Sequence, residues 1–257
     1  MPPLRTGSPR GKRNLLQQLS SDLDTSIVLF SILSLVELGN KWEEANDCDG
    51  PLATEITEYS SKELTEKTWP DLARLFEKPE TGDAWWCWCT HHHVASYSRP
   101  ESRQPRTRAE RAVRNRRQKE KLVKNGLAHG IIVYAKGEPV GRCQYGSREE
   151  LPRVHNTRSY RNLAPRDNLE KFWRITCFVV DKNYRKSGVA STALKAALES
   201  IRNKGGGLVE AIPVSKTDQG PGYMYTGRVS MLEKVGFKTV APFATGRTAT
   251  VLMRRTI

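Results

Sequence analysis

The sequence has no apolar run long enough to cross a bilayer. Its longest, Ser26 to Leu38, is about 13 residues, where a spanning helix needs about 20. The run follows Arg5, Arg10, Lys12 and Arg13, as a secretory signal would, but Asp22 and Asp24 intervene and no small-residue cleavage site follows. Leu15, Leu19, Leu23, Ile27 and Phe30 recur at helical spacing, so the expectation is a helix packed on the main domain. Cysteine is scarce as well: five residues, an odd number, with Cys87-Trp88-Cys89 as the one close spacing. That excludes a secreted disulfide framework and points to a reducing, cytoplasmic compartment, or a nuclear one in a eukaryote. Also missing are the glycines of a dinucleotide fingerprint, a Gly-Lys-Ser/Thr triplet, which excludes a Rossmann or P-loop reading, and any internal repeat.

Acidic residues are outnumbered, 28 against 42 Lys and Arg, for a net charge of +14 over 257 residues. Arg99 to Lys124 alone holds eleven Lys/Arg against three Asp/Glu, so about +8 sits in one tenth of the chain. An anionic partner is implied: nucleic acid, a lipid surface or a polyphosphate such as coenzyme A.

Residues 1–81 read as an extension: a Pro, Gly and Arg-rich start, the helix to about Leu38, then an acidic polar stretch. Composition shifts near Gly82, and residues 82–257 read as the main domain. There Ala84 to Thr90 (AWWCWCT) predicts a short buried strand, and Arg106 to Asn125 a helix ending at Gly126. Gly130 to Ala135 and Pro139 to Tyr145 predict an antiparallel hairpin about Lys136-Gly137-Glu138. Trp173 to Asp181 is almost continuously apolar, as a central strand covered on both faces would be. Ala190, Ala193, Leu194, Ala197, Leu198 and Ile201 form a helical stripe stopped by three glycines, and Leu208 to Val214 reads as a second buried strand. A short helix over Thr226 to Val235 and a last strand over Ala249 to Arg254 complete the pattern.

Between the central strand and its helix lies Tyr184-Arg185-Lys186-Ser187-Gly188-Val189-Ala190-Ser191. A glycine there lets backbone approach a ligand, and the free N–H groups opening a helix, with its dipole, suit a pyrophosphate. The spacing Arg185-x-x-Gly188-x-Ala190 resembles the acyl-CoA signature of the GNAT (GCN5-related N-acetyltransferase) superfamily, with strand before, helix and strand after, and a later helix ending in Gly236-Phe237. Cys-Trp-Cys near residue 87, the basic helix, the hairpin and YRNLAPRDN resemble a bacterial-type subgroup.

The resemblance implies an α/β (α+β) GNAT fold, a mixed, mostly antiparallel sheet flanked by helices. It implies acetyl-CoA as acyl donor and transfer to a primary amine by direct attack. The backbones of Phe178, Val179 and Val180 would hold the pantetheine arm, and Arg185, Lys186, Ser187, Gly188, Val189, Ala190 and Ser191 the pyrophosphate. A bulge N–H near Val179 would stabilise the oxyanion. Many members place a tyrosine acid four positions before the glycine of Gly-Phe; here that position is Leu232, which leaves Tyr225 or Tyr223 as displaced candidates. Glu210, a carboxylate on an apolar strand, is a candidate base, the alternative being a Glu that faces solvent or pairs with one of the many arginines.

Two further clusters favour the bland reading. Cys87, Cys89, His91, His92 and His93 are zinc-type donors without the usual loop spacing, so no metal is expected. Cys177 on the central strand could relay an acetyl group but reads as a small buried hydrophobe. The competing functions are a nucleic-acid-binding protein using residues 99–124, and an acyl-CoA-binding module without catalysis.

Overall fold

In the computed structural model of the chain, the described residues are 58–94, 107–163 and 171–257. The helix and the apolar run expected before Leu38 lie outside them, as does part of YRNLAPRDN. A compact unit runs from Glu55 to Ile257. It begins with strand β1 (Ser60–Glu63) and helix α1 (Trp69–Glu77), which lie before the boundary expected at 82. Leu72, Leu75 and Phe76 of α1 are fully buried, so this segment forms part of the same core.

Residues 84–90 are not a strand. Ala84–Cys87 is one turn of helix (α2), and Trp88 and Cys89 then both take left-handed backbone, φ 49° and 46°. Two successive left-handed residues cannot extend a pleated strand. Trp88 fixes this turn by packing against Trp69 and Phe76, ring centroids 5.6 and 5.3 Å away. Helix α3 (Arg108–Lys124) matches its prediction and starts on a full capping box between Thr107 and Glu110. Its buried residues are Asn115, Lys119 and Val123, mostly polar, which apolar periodicity does not detect.

The hairpin forms as expected from β2 (His129–Ala135) and β3 (Glu138–Ser147), turning through Lys136 and Gly137 at positive φ. Helix α4 (Arg158–Leu163), β4 (Phe172–Val180), helix α5 (Val189–Asn203) and β5 (Leu208–Ala211) follow. The strand expected through Val214 breaks at Ile212-Pro213, because Pro213 has no N–H for a ladder, and β6 (Val214–Thr217) starts anew. Helix α6 (Val229–Glu233) is shorter than predicted, and β7 (Lys238–Ala244) and β8 (Thr248–Thr256) close the chain.

The sheet is mixed and mostly antiparallel, in the order β1-β2-β3-β4-β5-β8-β6 with β7 also on β8. Within it β4 and β5 run parallel. One face is covered by α5, whose Val189, Ala193, Leu194, Ala197, Leu198 and Ile201 join a core with β2, β3 and β4. The other face packs Ile132, Tyr134, Cys177 and Val179 against α1, α2 and α3. Gly141 on β3 permits the close seating of α5, since a Cβ there would lie 2.2 Å from the Val189 side chain.

Candidate functional site

The parallel pairing of β4 with β5 covers only Phe172 to Ile175, opposite Leu208 to Ala211. Beyond Ile175 the two strands part, and Cys177 to Val180 of β4 keep a strand partner only on the β3 side. A bulge at Thr176, between the pairs Gln144–Cys177 and Tyr145–Ile175, resets the alternation just there. The bulge expected near Val179 is therefore three residues earlier.

Which N–H groups face the opening follows from register. Asp181 N–H donates to the Val140 carbonyl of β3 at 3.0 Å, so the pair two steps back, Val179 with Arg142, is also of the hydrogen-bonded kind. Val179 N–H thus points into the sheet and is not available as an oxyanion donor. Phe178 and Val180 present their N–H groups to the open edge. Phe178 N–H donates to the Tyr225 carbonyl at 2.6 Å, so residue 225 is drawn into the gap between β4 and β5. Gly227 (φ 86°) allows this, because a Cβ there would lie 3.1 Å from the Phe178 ring.

After β4 the chain turns through a 3-10 segment, Lys182–Tyr184, which Asp181 caps by accepting from Asn183 N–H at 3.0 Å. Gly188, at φ 94° and with open space where a Cβ would stand, is the N-cap of α5. No side chain caps the helix, and the N–H groups of Gly188, Val189, Ala190 and Ser191 find no acceptor among the described residues. The terminus of this 15-residue helix is thus a set of convergent unsatisfied donors at the positive end of its dipole. Arg185 and Lys186 are exposed beside it, while Val189 turns its side chain into the core and offers only backbone. The Ser187 hydroxyl is engaged: it donates to the Tyr184 carbonyl at 2.6 Å and accepts from Tyr59 at 2.8 Å.

The sequence model of the acetyltransferase (GNAT) family matches residues 66–220. The chain belongs to the GNAT acetyltransferase family. Among solved structures, a GNAT-family protein from Desulfovibrio desulfuricans is similar at 15% identity and TM-score 0.45, over 77% of this chain and 99% of that one. An acetyltransferase of the GNAT family from Streptococcus pneumoniae is similar at 14% identity and TM-score 0.42, over 78% and 99%. No curated protein matches. Membership rests on the family match. Acetyl-CoA is the acyl donor of GNAT enzymes, and its polyphosphate suits the open donors at residues 188–191 and the exposed Arg185 and Lys186.

The catalytic candidates fare unequally in this GNAT chain. Glu210 is fully buried with both oxygens committed: Oε2 accepts from Arg174 and from Tyr160 Oη at 2.8 Å, and Oε1 from Arg254 Nε at 2.7 Å. It sits inside a guanidinium cluster rather than facing an acceptor, so the expectation of a base is corrected to a structural ion-pair centre. Tyr225 keeps its phenol half exposed at the open edge, and burial, followed by the nearby Cys177, raises its pKa. Leu232 is fully buried in the core. Tyr223 is exposed on the same loop.

The basic helix is less of a free cationic strip than its composition suggests. Arg108 pairs with Asp83, Arg116 with Glu77, Lys124 with Glu120, and Lys119 is buried. Among the described residues no three His, Cys, Asp or Glu side chains converge to hold a metal ion, and no helix is long and apolar enough to cross a membrane. Sequence reasoning missed one polar group: Lys119, Arg142 and Gln144 meet under β3 beside Cys89 and Cys177. Lys119 Nζ donates to Gln144 Oε1 at 3.1 Å and Arg142 to the same oxygen at 2.8 Å. The Gln144 and Arg142 positions alternate on β3, the signal that places them on one face.

Proposed function

We propose that this chain is an acetyl-CoA-dependent N-acetyltransferase acting on a primary amine by direct attack. The observation that carries the reading is the uncapped, unsatisfied N-terminus of α5 that follows the end of β4 where β5 has parted from it. Acetyl-CoA supplies the acyl group as an activated thioester. The N–H groups of residues 188–191, with Arg185 and Lys186, hold its pyrophosphate; Ser187 contributes backbone, its hydroxyl being taken. The β4 edge beside Val180 holds the pantetheine arm, Phe178 N–H being taken by the Tyr225 carbonyl, and Val180 N–H is the edge donor suited to a developing oxyanion, the role first expected of Val179.

Tyr225 is the group placed to protonate a departing thiolate. Its phenol stays protonated well above neutral pH, as an acid must, and its backbone ties it to Phe178 at the same edge. With Glu210 locked between arginines, the proton of the attacking amine leaves to solvent. The rate per enzyme at low acceptor concentration should then rise with pH along the acceptor's own ionisation.

The deciding experiment is calorimetric titration of acetyl-CoA into the native chain and into Gly188→Glu. A side chain at this left-handed position costs about 1–2 kcal/mol of stability. Because its space is open, the variant should fold while losing roughly tenfold or more in affinity, about 1.4 kcal/mol. Equal affinities would remove the pyrophosphate site from this turn. A screen of amine classes for coenzyme A release, with the variant as blank, identifies the acceptor; binding without release from any amine would support the non-catalytic module instead.

A further inference from the structure

The buried group under β3 holds cations without a carboxylate. Lys119 and Arg142 are both fully buried, and among the described residues neither forms an ion pair with an Asp or Glu. Arg142 Nε and Nη1 and Gln144 Nε2 are buried with no hydrogen-bond partner. His93 cannot supply the missing charge: its Nδ1 donates to the Glu150 carbonyl at 2.9 Å, so its Nε2 accepts from Lys119 at 2.8 Å and the ring is neutral. A buried guanidinium needs a counter-charge, because an unpaired ion in a low-dielectric interior costs several kcal/mol, roughly.

Burial, with Arg142 beside it, pulls the Lys119 ammonium down to about 7, and the group there that can take up a negative charge is a thiol. Cys89 and Cys177 share a hydrogen bond with their sulfurs 3.1 Å apart, and both are buried and free. Two consecutive left-handed residues, Trp88 and Cys89, aim the Cys89 side chain at β4, a conformation that side-chain-bearing residues adopt only when their surroundings impose it. Side-chain hydrogen bonds with Cys177 and then Cys87 lower the Cys89 pKa; burial opposes them, and Arg142 and Lys119 act with them. The same contacts raise Cys177 and Cys87.

We propose that Cys89, reacting through its thiolate form, is oxidised by a peroxide and forms a reversible disulfide with Cys177, whose sulfur lies 3.1 Å away. In the first step the Cys89 sulfur bonds to a peroxide oxygen, the O–O bond breaks, and hydroxide leaves, giving a sulfenic acid. In the second the Cys177 sulfur bonds to the Cys89 sulfur, and the S–O bond breaks. The departing hydroxide takes the Cys177 proton as water. The two sulfurs are oxidised and the peroxide reduced. Cys177 directly precedes Phe178, so the bond would tie the 84–93 segment to β4 at its open edge. The site stands on its own geometry and does not depend on where acetyl-CoA binds.

The test uses the full chain, treated with stoichiometric hydrogen peroxide, alkylated under denaturing conditions and mapped by mass spectrometry without reduction. The expected product links the Cys89 and Cys177 peptides, is reversed by dithiothreitol, and leaves Cys143 alkylated. In Cys177→Ser, dimedone should label Cys89 roughly tenfold more than Cys143, because the thiolate is the reactive form. Cys89 and Cys177 both still alkylated after peroxide, or a link through Cys87 in place of Cys89, would overturn the proposal. The native-chain map decides the matter even if the variant does not fold.

Discussion

Glu210 has three neighbours that define what its loss would do. Arg174 is buried with it, Arg254 is half buried, and Tyr160 donates to the same carboxylate. Glu210→Gln keeps the shape but leaves two guanidinium groups without a counter-charge, a change that costs about 3–5 kcal/mol in buried pairs. The expected result is a large drop in melting temperature, with purified variant retaining the native pH profile of turnover; a lost acidic limb in that profile would restore Glu210 as base. Tyr225 behaves oppositely, since its phenol is not part of the core. Tyr225→Phe should leave the melting temperature nearly unchanged and reduce turnover by roughly 100-fold, the usual worth of a positioned acid. Unaltered turnover would remove Tyr225 from the mechanism.

At the scale of elements, α5 both closes one face of the sheet and aims its N-terminus at the turn. Its stripe was legible in residues 190–201 because six apolar side chains recur at helical spacing, and the structure buries them against β2, β3 and β4. Leu198→Ala should therefore cost about 2–5 kcal/mol, measured by denaturant unfolding, whatever its effect on acetyl-CoA. The hairpin and β4 were equally legible, since β-branched runs bounded by a Lys-Gly turn admit few alternatives. The 84–90 segment was not: its tryptophans and cysteines suit a strand, but tertiary packing of Trp88 between Trp69 and Phe76 selects a left-handed turn. Helix α1 escaped because Leu72, Leu75 and Phe76 lie in a stretch otherwise rich in charge.

At the scale of the whole molecule, two partly buried imidazoles are held in the neutral form. Burial foremost holds His92 at about 3 and His155 at about 3, with cationic neighbours pushing the same way. In the unfolded chain these rings titrate near about 6.5. Between that value and about 3 the unfolded state binds protons that the folded state refuses, so stability is fully present above about 6.5 and is lost as pH falls. Thermal melts should show a lower midpoint at pH 5 than at pH 7; equal midpoints would mean that these rings accept protons without unfolding.

By itself the sequence determined the strand, turn, helix and strand of residues 173–211, because hydrophobic period, a glycine at the turn and a glycine stop are local signals. It thereby placed the uncapped helix start at residues 188–191. Tertiary structure decided what depends on register and on contacts between distant segments. It turned Val179 N–H into the sheet, moved the bulge to Thr176, closed Glu210 between Arg174 and Arg254, and brought Cys89 to Cys177 across 88 residues of chain. No local pattern encodes which edge a backbone N–H faces or which charge meets which, since both are fixed only when strands pair and helices dock.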